Sequence, residues 1–391
     1  MVEPVTTFYR DLVPLLADAG YEIELVLSGA EYRSAREPLE DVFAGRNVKV
    51  THLHPFSRQM PTAPKKKLWV MIAYIAQSVL LSMKSPVDAN FFLTQPPLFG
   101  LWGRALKALK EQPYICLIMD LYPDIAILDG MLEENSKFAG VMSRLAMKAL
   151  QAASKVVVIG RCMEDLLVKR GLARERICVI RNWANEQLIY PVPREQNRLR
   201  NELNLQDQFV VLYSGNMGVS HYFDDILEVA GRLKHNKEIC FVFIGNGRRR
   251  KQLEKAKSDK CIDNILLLPF QPFERLPQSL SLGDIHFISL RAGFEGRVVP
   301  SKAYSPMAAG RPIVYQGAPS GEIARMVREE GIGAVVEPGA VDQLERVIMD
   351  YFENPAKVAA QGNLAWQLSH GRYSHQWALE SYCRVIEDLF A

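Results

Sequence analysis

Short β-branched or apolar runs alternate with longer stretches of helical period along nearly the whole chain, in two successive series. This alternation constrains the fold more than any other feature, because repeated strand–helix–strand units bury their apolar faces as a parallel sheet covered by helices. In the first series the spacing predicts strands at residues 22–27, 48–52, 89–93, 114–119, 156–159 and 177–180, with helices at 8–19, 68–83, 100–110, 138–152 and 163–170. The second series has predicted strands at 209–213, 239–244, 265–268, 285–290, 312–315 and 334–336. Between the two, residues 190–208 carry Pro191, Pro193 and several charges with weak periodicity, which suits a connection. The expected fold class is α/β, with two tandem Rossmann-like, doubly wound parallel-sheet domains at 1–189 and 209–368, the 190–208 linker, and a final helix at 369–391 able to cross back to the first domain. Strand C-termini from both domains would face a shared cleft, the expected active site. The chain opens with the amphipathic stretch 8–19 rather than with a strand. The expectation is that a first strand and its loop are missing, through truncation of a longer chain or a first domain with one strand fewer.

Composition removes several classes. Hydrophobic residues at 48% and charged residues at 23% are those of a globular protein, and 47 basic against 44 acidic residues give a net charge of only +3, too little for a nucleic-acid coat. Cys116, Cys162, Cys178, Cys240, Cys261 and Cys383 form no C-x-x-C pair and read as reduced core residues of a cytoplasmic protein. The longest apolar run, 68–83, is too short to span a bilayer, and no signal peptide is expected. Lys65, Lys66 and Lys67 precede Leu68, Trp69, Met71, Ile72, Tyr74 and Ile75, so this helix either packs inside its domain or lies on an anionic membrane surface.

Four segments could carry chemistry. Gly215-Asn216-Met217-Gly218 follows a strand and leads into a helix, where backbone N–H groups can meet a diphosphate; a plain turn would read the same. Gly245-Asn246-Gly247 follows the next strand, but Arg250 replaces the third glycine of a dinucleotide fingerprint, so a dehydrogenase is disfavoured. Residues 293–312 enclose Val299-Pro300-Ser301-Lys302, with Ser301 and Lys302 in a helix's first turn. A lysine there opposes the macrodipole unless an anion lies between, or unless it turns to solvent. Asp120 and Asp124 end a first-domain strand, placed to accept from sugar hydroxyls, to act as a base, or simply to cap a turn. Asn182-Trp183-Ala184-Asn185 after the last first-domain strand is similar in kind. No D-x-D, H-E-x-x-H or G-x-S-x-G occurs, which argues for neither a metal site nor a nucleophile elbow.

Taken together, Asp120-Leu-Tyr-Pro-Asp124, Arg181-Asn182, Ser214-Gly-Asn-Met-Gly218, Gly245-Asn-Gly247, Gln271-Pro-Phe-Glu-Arg-Leu-Pro277, Gly283-Asp284, Val299-Pro-Ser-Lys302 and Ala308-Ala-Gly-Arg-Pro312 resemble the GT-B glycosyltransferases of family 4, of the exopolysaccharide and colanic-acid type. The resemblance covers nearly the whole chain. It implies a UDP-sugar donor on the second domain, an acceptor on the first, and retaining transfer of a hexose or N-acetylhexosamine, without metal or other cofactor, onto a lipid-linked or polysaccharide acceptor. By that resemblance Gly215 to Gly218 and Pro300 to Lys302 hold the diphosphate, Phe270 and Gln271 the base, and His52, His54, Asp120 and Asp124 the acceptor.

Three departures accompany it. Arg297 and Ser305 stand where many relatives carry glutamates, Asn216 and His221 stand where an arginine and a lysine are common, and the opening glycine loop is missing. Arg297 is therefore expected either to act with Lys302 as a cationic clamp, on the β-phosphate or on the sugar, or to be a solvated surface residue. A nucleotide-sugar epimerase and a catalytically silent carbohydrate-binding protein are the alternatives.

Overall fold

The computed structural model describes residues 4–28, 42–53, 64–94 and 98–390. In the first domain β3 (Asn90–Leu93), β4 (Tyr114–Ile118), β5 (Lys155–Val158) and β6 (Ile177–Val179) form a parallel sheet in that order. β1 (Ile23–Ser28) and β2 (Val48–Leu53) form a separate parallel pair, with Ile23 opposite Val48. The expected single sheet is thus in two pieces among the described residues.

The second domain has one six-stranded parallel sheet: β7 (Phe209–Ser214), β8 (Ile239–Ile244), β9 (Ile265–Leu268), β10 (Ile285–Ser289), β11 (Ile313–Gln316) and β12 (Gly333–Val336). Its order is β12-β11-β10-β7-β8-β9, so the winding reverses between β7 and β10, the position at which open α/β sheets bind their ligands. Both sheet faces are covered, which is why these strands read as continuous apolar runs. Val211, Tyr213, Phe241 and Phe243 join one core while Val210, Leu212, Val242 and Ile244 join another, the alternation a strand requires.

A third core is continuous between the domains, taking in Leu117 and Val157 of the first with Phe294, Tyr304 and Ile323 of the second. Polar ties reinforce it. Asp120 and Val298 form an isolated antiparallel bridge, and Leu121 N donates to Arg297 O at 2.9 Å. Glu322 is fully buried and accepts from Arg161 N at 2.6 Å and from Arg181 Nε at 2.9 Å. The helix His375–Glu387 returns to the first domain. There His375 lies 3.2 Å from Asp11 in the helix Pro4–Asp18, and Trp183 Nε1 donates to the same carboxylate at 3.0 Å.

Of the cysteines, Cys116, Cys162 and Cys240 are buried and Cys261 is exposed; none is paired. No helix among the described residues is long and apolar enough to cross a membrane.

Candidate active site

The site grows from the two strands at the reversal. β7 ends at Ser214, and Gly215 turns the chain at φ +146°, a region L side chains rarely adopt. The turn after β8 packs directly on this loop. A Cβ on Gly245 would lie 2.1 Å from Gly215 O, and one on Gly247 would lie 2.5 Å from Met217 O. Met217 N in turn donates to Asn246 O at 2.7 Å. The glycines of the second turn therefore serve the first loop's backbone. Arg250 staples the same turn, donating from Nη1 to Gly245 O at 2.6 Å and to Leu268 O at 3.0 Å. Phe270, a third exposed, lies beside Gly245, and Gln271 Nε2 donates to Pro269 O at 3.0 Å.

The N–H groups of Asn216, Gly218, Val219 and Ser220 donate to no protein acceptor among the described residues. The helix that follows, Asp224–Arg232, carries two carboxylates in its first turn. Asp225 accepts from Gln316 Nε2 and from Gly339 N, both at 2.6 Å, so that helix end already has its negative charge. Of the two contributions expected from sequence, loop amides and helix terminus, the uncommitted loop amides are what this segment offers an anion.

Lys302 reaches the loop from the β10 side. It sits in a 3₁₀ turn, Ser301–Ala303, which runs into the short helix Tyr304–Ala308 and stops at Gly310. Val299 and Pro300 are buried before it; Ser301 and Ser305 are half-buried. The Lys302 ammonium does not turn to solvent. It donates to Tyr213 Oη at 2.5 Å, Asn216 O at 3.0 Å and His221 Nε2 at 2.9 Å, and lies 4.5 Å above the Tyr213 ring. Burial pushes its pKa down to about 7.

His221 completes the cage. Its Nδ1 meets Ser289 O at 2.7 Å; a carbonyl can only accept, so Nδ1 carries the hydrogen and Nε2 has a lone pair for Lys302. Burial, with the charges of Lys302 and Arg249, holds this imidazole neutral well below its usual pKa. Arg249 donates from Nη1 to Gln252 Oε1 at 2.9 Å, while its buried Nε has no hydrogen-bond partner. Sequence reasoning did not single out Arg249 or the role of His221. The signal available was position: in the basic run Arg248-Arg249-Arg250-Lys251, Arg249 stands immediately before the helix that starts at Arg250.

On the first-domain side Asp120 follows β4, half-buried, and its bridge to Val298 brings it to the segment leading into Lys302. Burial raises its pKa to about 6. Asp124 is differently placed. Arg170 forks onto both its oxygens, and Arg297 Nε reaches Oδ1 at 3.1 Å from the other domain. Arg297 Nη1 also donates to Gly293 O at 2.9 Å. Asp124 and Arg297, expected on acceptor and donor respectively, are committed to each other here. His52 lies on β2 opposite Leu27, half-buried; His54 lies outside the described residues. Trp183, from the Asn182–Asn185 segment, is the residue that binds Asp11.

The strand-order reversal, the uncommitted loop amides and the buried cation bring hydrogen-bond donors suited to an anion together on a two-domain α/β fold. Residues 5–183 match the glycosyl transferase 4-like domain and residues 195–365 match glycosyl transferases group 1, so that both domains are accounted for. The chain belongs to the family 4 glycosyltransferases of GT-B fold. It is 29% identical over 331 residues to WbjE of Pseudomonas aeruginosa, assigned as a glycosyltransferase, covering 82% of this chain and 80% of that one. To WcaI of Escherichia coli K12, assigned as a colanic acid biosynthesis glycosyl transferase, it is 28% identical over 255 residues, 64% of this chain and 62% of that one. The fold is shared with Anabaena HepE, solved in complex with UDP, at TM-score 0.74 and 14% identity over 98% and 95% of the two chains.

Proposed function

We propose that this glycosyltransferase moves a hexose or N-acetylhexosamine from a UDP-sugar, with retention and without a metal ion, onto a lipid-linked or polysaccharide acceptor in bacterial surface glycan synthesis. The observation that carries the reading is the Lys302 ammonium held at the β7–β10 reversal by Tyr213, Asn216 and His221. A diphosphate entering there would replace one of those acceptors with a phosphate oxygen and take up the uncommitted amides of the Gly215–Gly218 loop. The buried orphan Nε of Arg249 offers a second cationic donor. Phe270 beside the Gly245 turn suits stacking of a base. As the sugar–phosphate bond breaks, Lys302 and the amides stabilise the charge gathering on the departing UDP. The incoming hydroxyl attacks the anomeric carbon on the face that the UDP leaves, which keeps the configuration, and Asp120, with its raised pKa, accepts its proton. WcaI's assignment to colanic acid synthesis and HepE's binding of UDP support the glycan and donor classes.

No step in this scheme calls on a divalent cation, and among the described residues no three His, Cys, Asp or Glu side chains converge to hold one. The test is turnover of UDP-sugars over an acceptor panel with a chelator present, with the anomeric configuration of the product read by NMR. Full turnover with retention is expected. Activity restored only by magnesium or manganese would refute the metal-free scheme. An epimer formed from UDP-sugar alone would favour the epimerase, and UDP binding without transfer a silent binding protein.

A further inference from the structure

The first-domain helix Asp124–Leu128 is tied to the second domain at both ends. At its start Arg297, from the loop leaving β10, reaches Asp124 Oδ1 at 3.1 Å. Just past its end Arg248, from the turn leaving β8, donates from Nη1 to Asp129 Oδ2 at 2.9 Å. The strands run parallel in the order β10-β7-β8, so the loop leaving β7 emerges between those two. Contacts on either side hold the helix end there. A Cβ on Gly293 would lie 3.5 Å from Leu128 Cδ2, and in the same loop Arg291 donates from N to Ser220 O at 2.8 Å and from Nη1 to Val219 O at 3.2 Å. Across from them Gly247 abuts Met217 O, to which Arg249 N donates at 3.0 Å. The Arg248–Asp129 pair therefore joins the two domains beside the loop that carries the uncommitted amides.

The two partners are unlike. The Asp129 side chain is 9% exposed and takes no other hydrogen bond among the described residues, whereas that of Arg248 is 68% exposed and spends a single N–H on it. Burial raises the pKa of Tyr122 and the charges of Asp120 and Asp129 add to it, so Asp129 shares the surroundings of Asp120. A nearly buried carboxylate beside amides that await an anion repels that anion unless a cation neutralises it. A guanidinium can do so and still offer its remaining N–H groups, which suit phosphate oxygens. We propose that Arg248 is shared between the domains' two anions: it neutralises Asp129 with one N–H and gives the others to the diphosphate of the donor. A first-domain carboxylate thereby sets how tightly a second-domain ligand is held. This rests on the reading of the β7–β10 reversal as the donor site, and it adds Arg248 and Asp129 to that site.

The experiment is calorimetric titration of UDP, and ligand-observed NMR titration of uridine, on the full chain and its variants, with melting temperatures to check folding. Arg248→Ala should weaken UDP by at least about tenfold, through the lost charge-assisted bond and the exposed charge of Asp129. Adding Asp129→Asn to it should recover at least about threefold, because the repelling charge is gone. Uridine, which has no phosphate, should bind all forms alike. UDP affinity indifferent to Arg248→Ala would overturn the inference while leaving the donor reading intact. So would a loss that Asp129→Asn does not relieve, or one that uridine shares, since the arginine would then only hold the domains or the base pocket in place. Failure of the unaltered chain to bind UDP would overturn the donor reading and this inference with it.

Discussion

Arg297 Nε lies 3.1 Å from Asp124 Oδ1 across the junction of the two domains, and Arg170 grips the same carboxylate from within the first. One acidic group therefore holds two guanidiniums, one from each domain. Asp124→Asn would leave those cations facing each other, while Arg297→Ala would leave Asp124 satisfied by Arg170. The first change should cost about 1–3 kcal/mol of interdomain stability and the second less. Small-angle scattering should show a larger radius of gyration for Asp124→Asn than for Arg297→Ala. If Arg297→Ala lowers turnover sharply with donor affinity and radius unchanged, the arginine acts on the leaving group instead.

The dependence of kcat/KM on pH should be bell-shaped. Asp120 must be ionised to accept a proton, so activity rises as pH climbs through about 6. Lys302 must be protonated to hold phosphate, so activity falls as pH climbs beyond about 7. Bound UDP favours the ammonium, so the alkaline limb of kcat should lie above that of kcat/KM. Asp120→Asn should cost about 10²- to 10⁴-fold and remove the acid limb. An acid limb that survives this change would remove Asp120 from the role of base.

Lys302→Ala should weaken UDP binding by roughly 10- to 150-fold, the loss of a charge-assisted hydrogen bond worth about 1.5–3 kcal/mol. His221 acts through Lys302 as a positioning residue. His221→Ala should weaken UDP several-fold, and the two losses should not add, because both remove one aimed cation. Titration calorimetry on the double-mutant cycle measures this; strict additivity would separate the two side chains.

Gly245→Ala should lower the melting temperature by roughly 4–8 °C, for about 2 kcal/mol in a protein of two such domains. The new Cβ lies 2.1 Å from Gly215 O, on a backbone with φ +139°. Gly218→Ala meets only Asn216 Nδ2, at 3.6 Å, and should leave the melting temperature nearly unchanged. Equal losses at both positions would mean that the loops are not packed as described.

The strands were legible because their two faces are covered: β8 is apolar throughout and buried throughout. The loop–strand placement of Gly215, Gly245, Lys302 and Asp120 followed from that. What sequence could not carry was pairing over distance. Asp124 and Arg297 are 173 residues apart, and nothing local to either marks the other. The basic run at 248–250 shows the same limit. Arg248 crosses to Asp129, Arg249 turns inward and Arg250 binds carbonyls, three fates for one residue type, decided by a helix start. Glycine was ambiguous for a related reason, since a neighbouring backbone demands it at Gly245 and Gly247 as firmly as a ligand would.

The return of the helix His375–Glu387 to Asp11 and Trp183 has a consequence for biosynthesis. At roughly 5–20 residues per second, the ribosome completes the entire second domain, over roughly 10–40 s, before the residues that cover the first domain's Pro4–Asp18 helix emerge. The first domain must wait through that interval with one apolar flank open. Its maturation is therefore post-translational, and the nascent chain offers chaperones a surface that the finished enzyme does not.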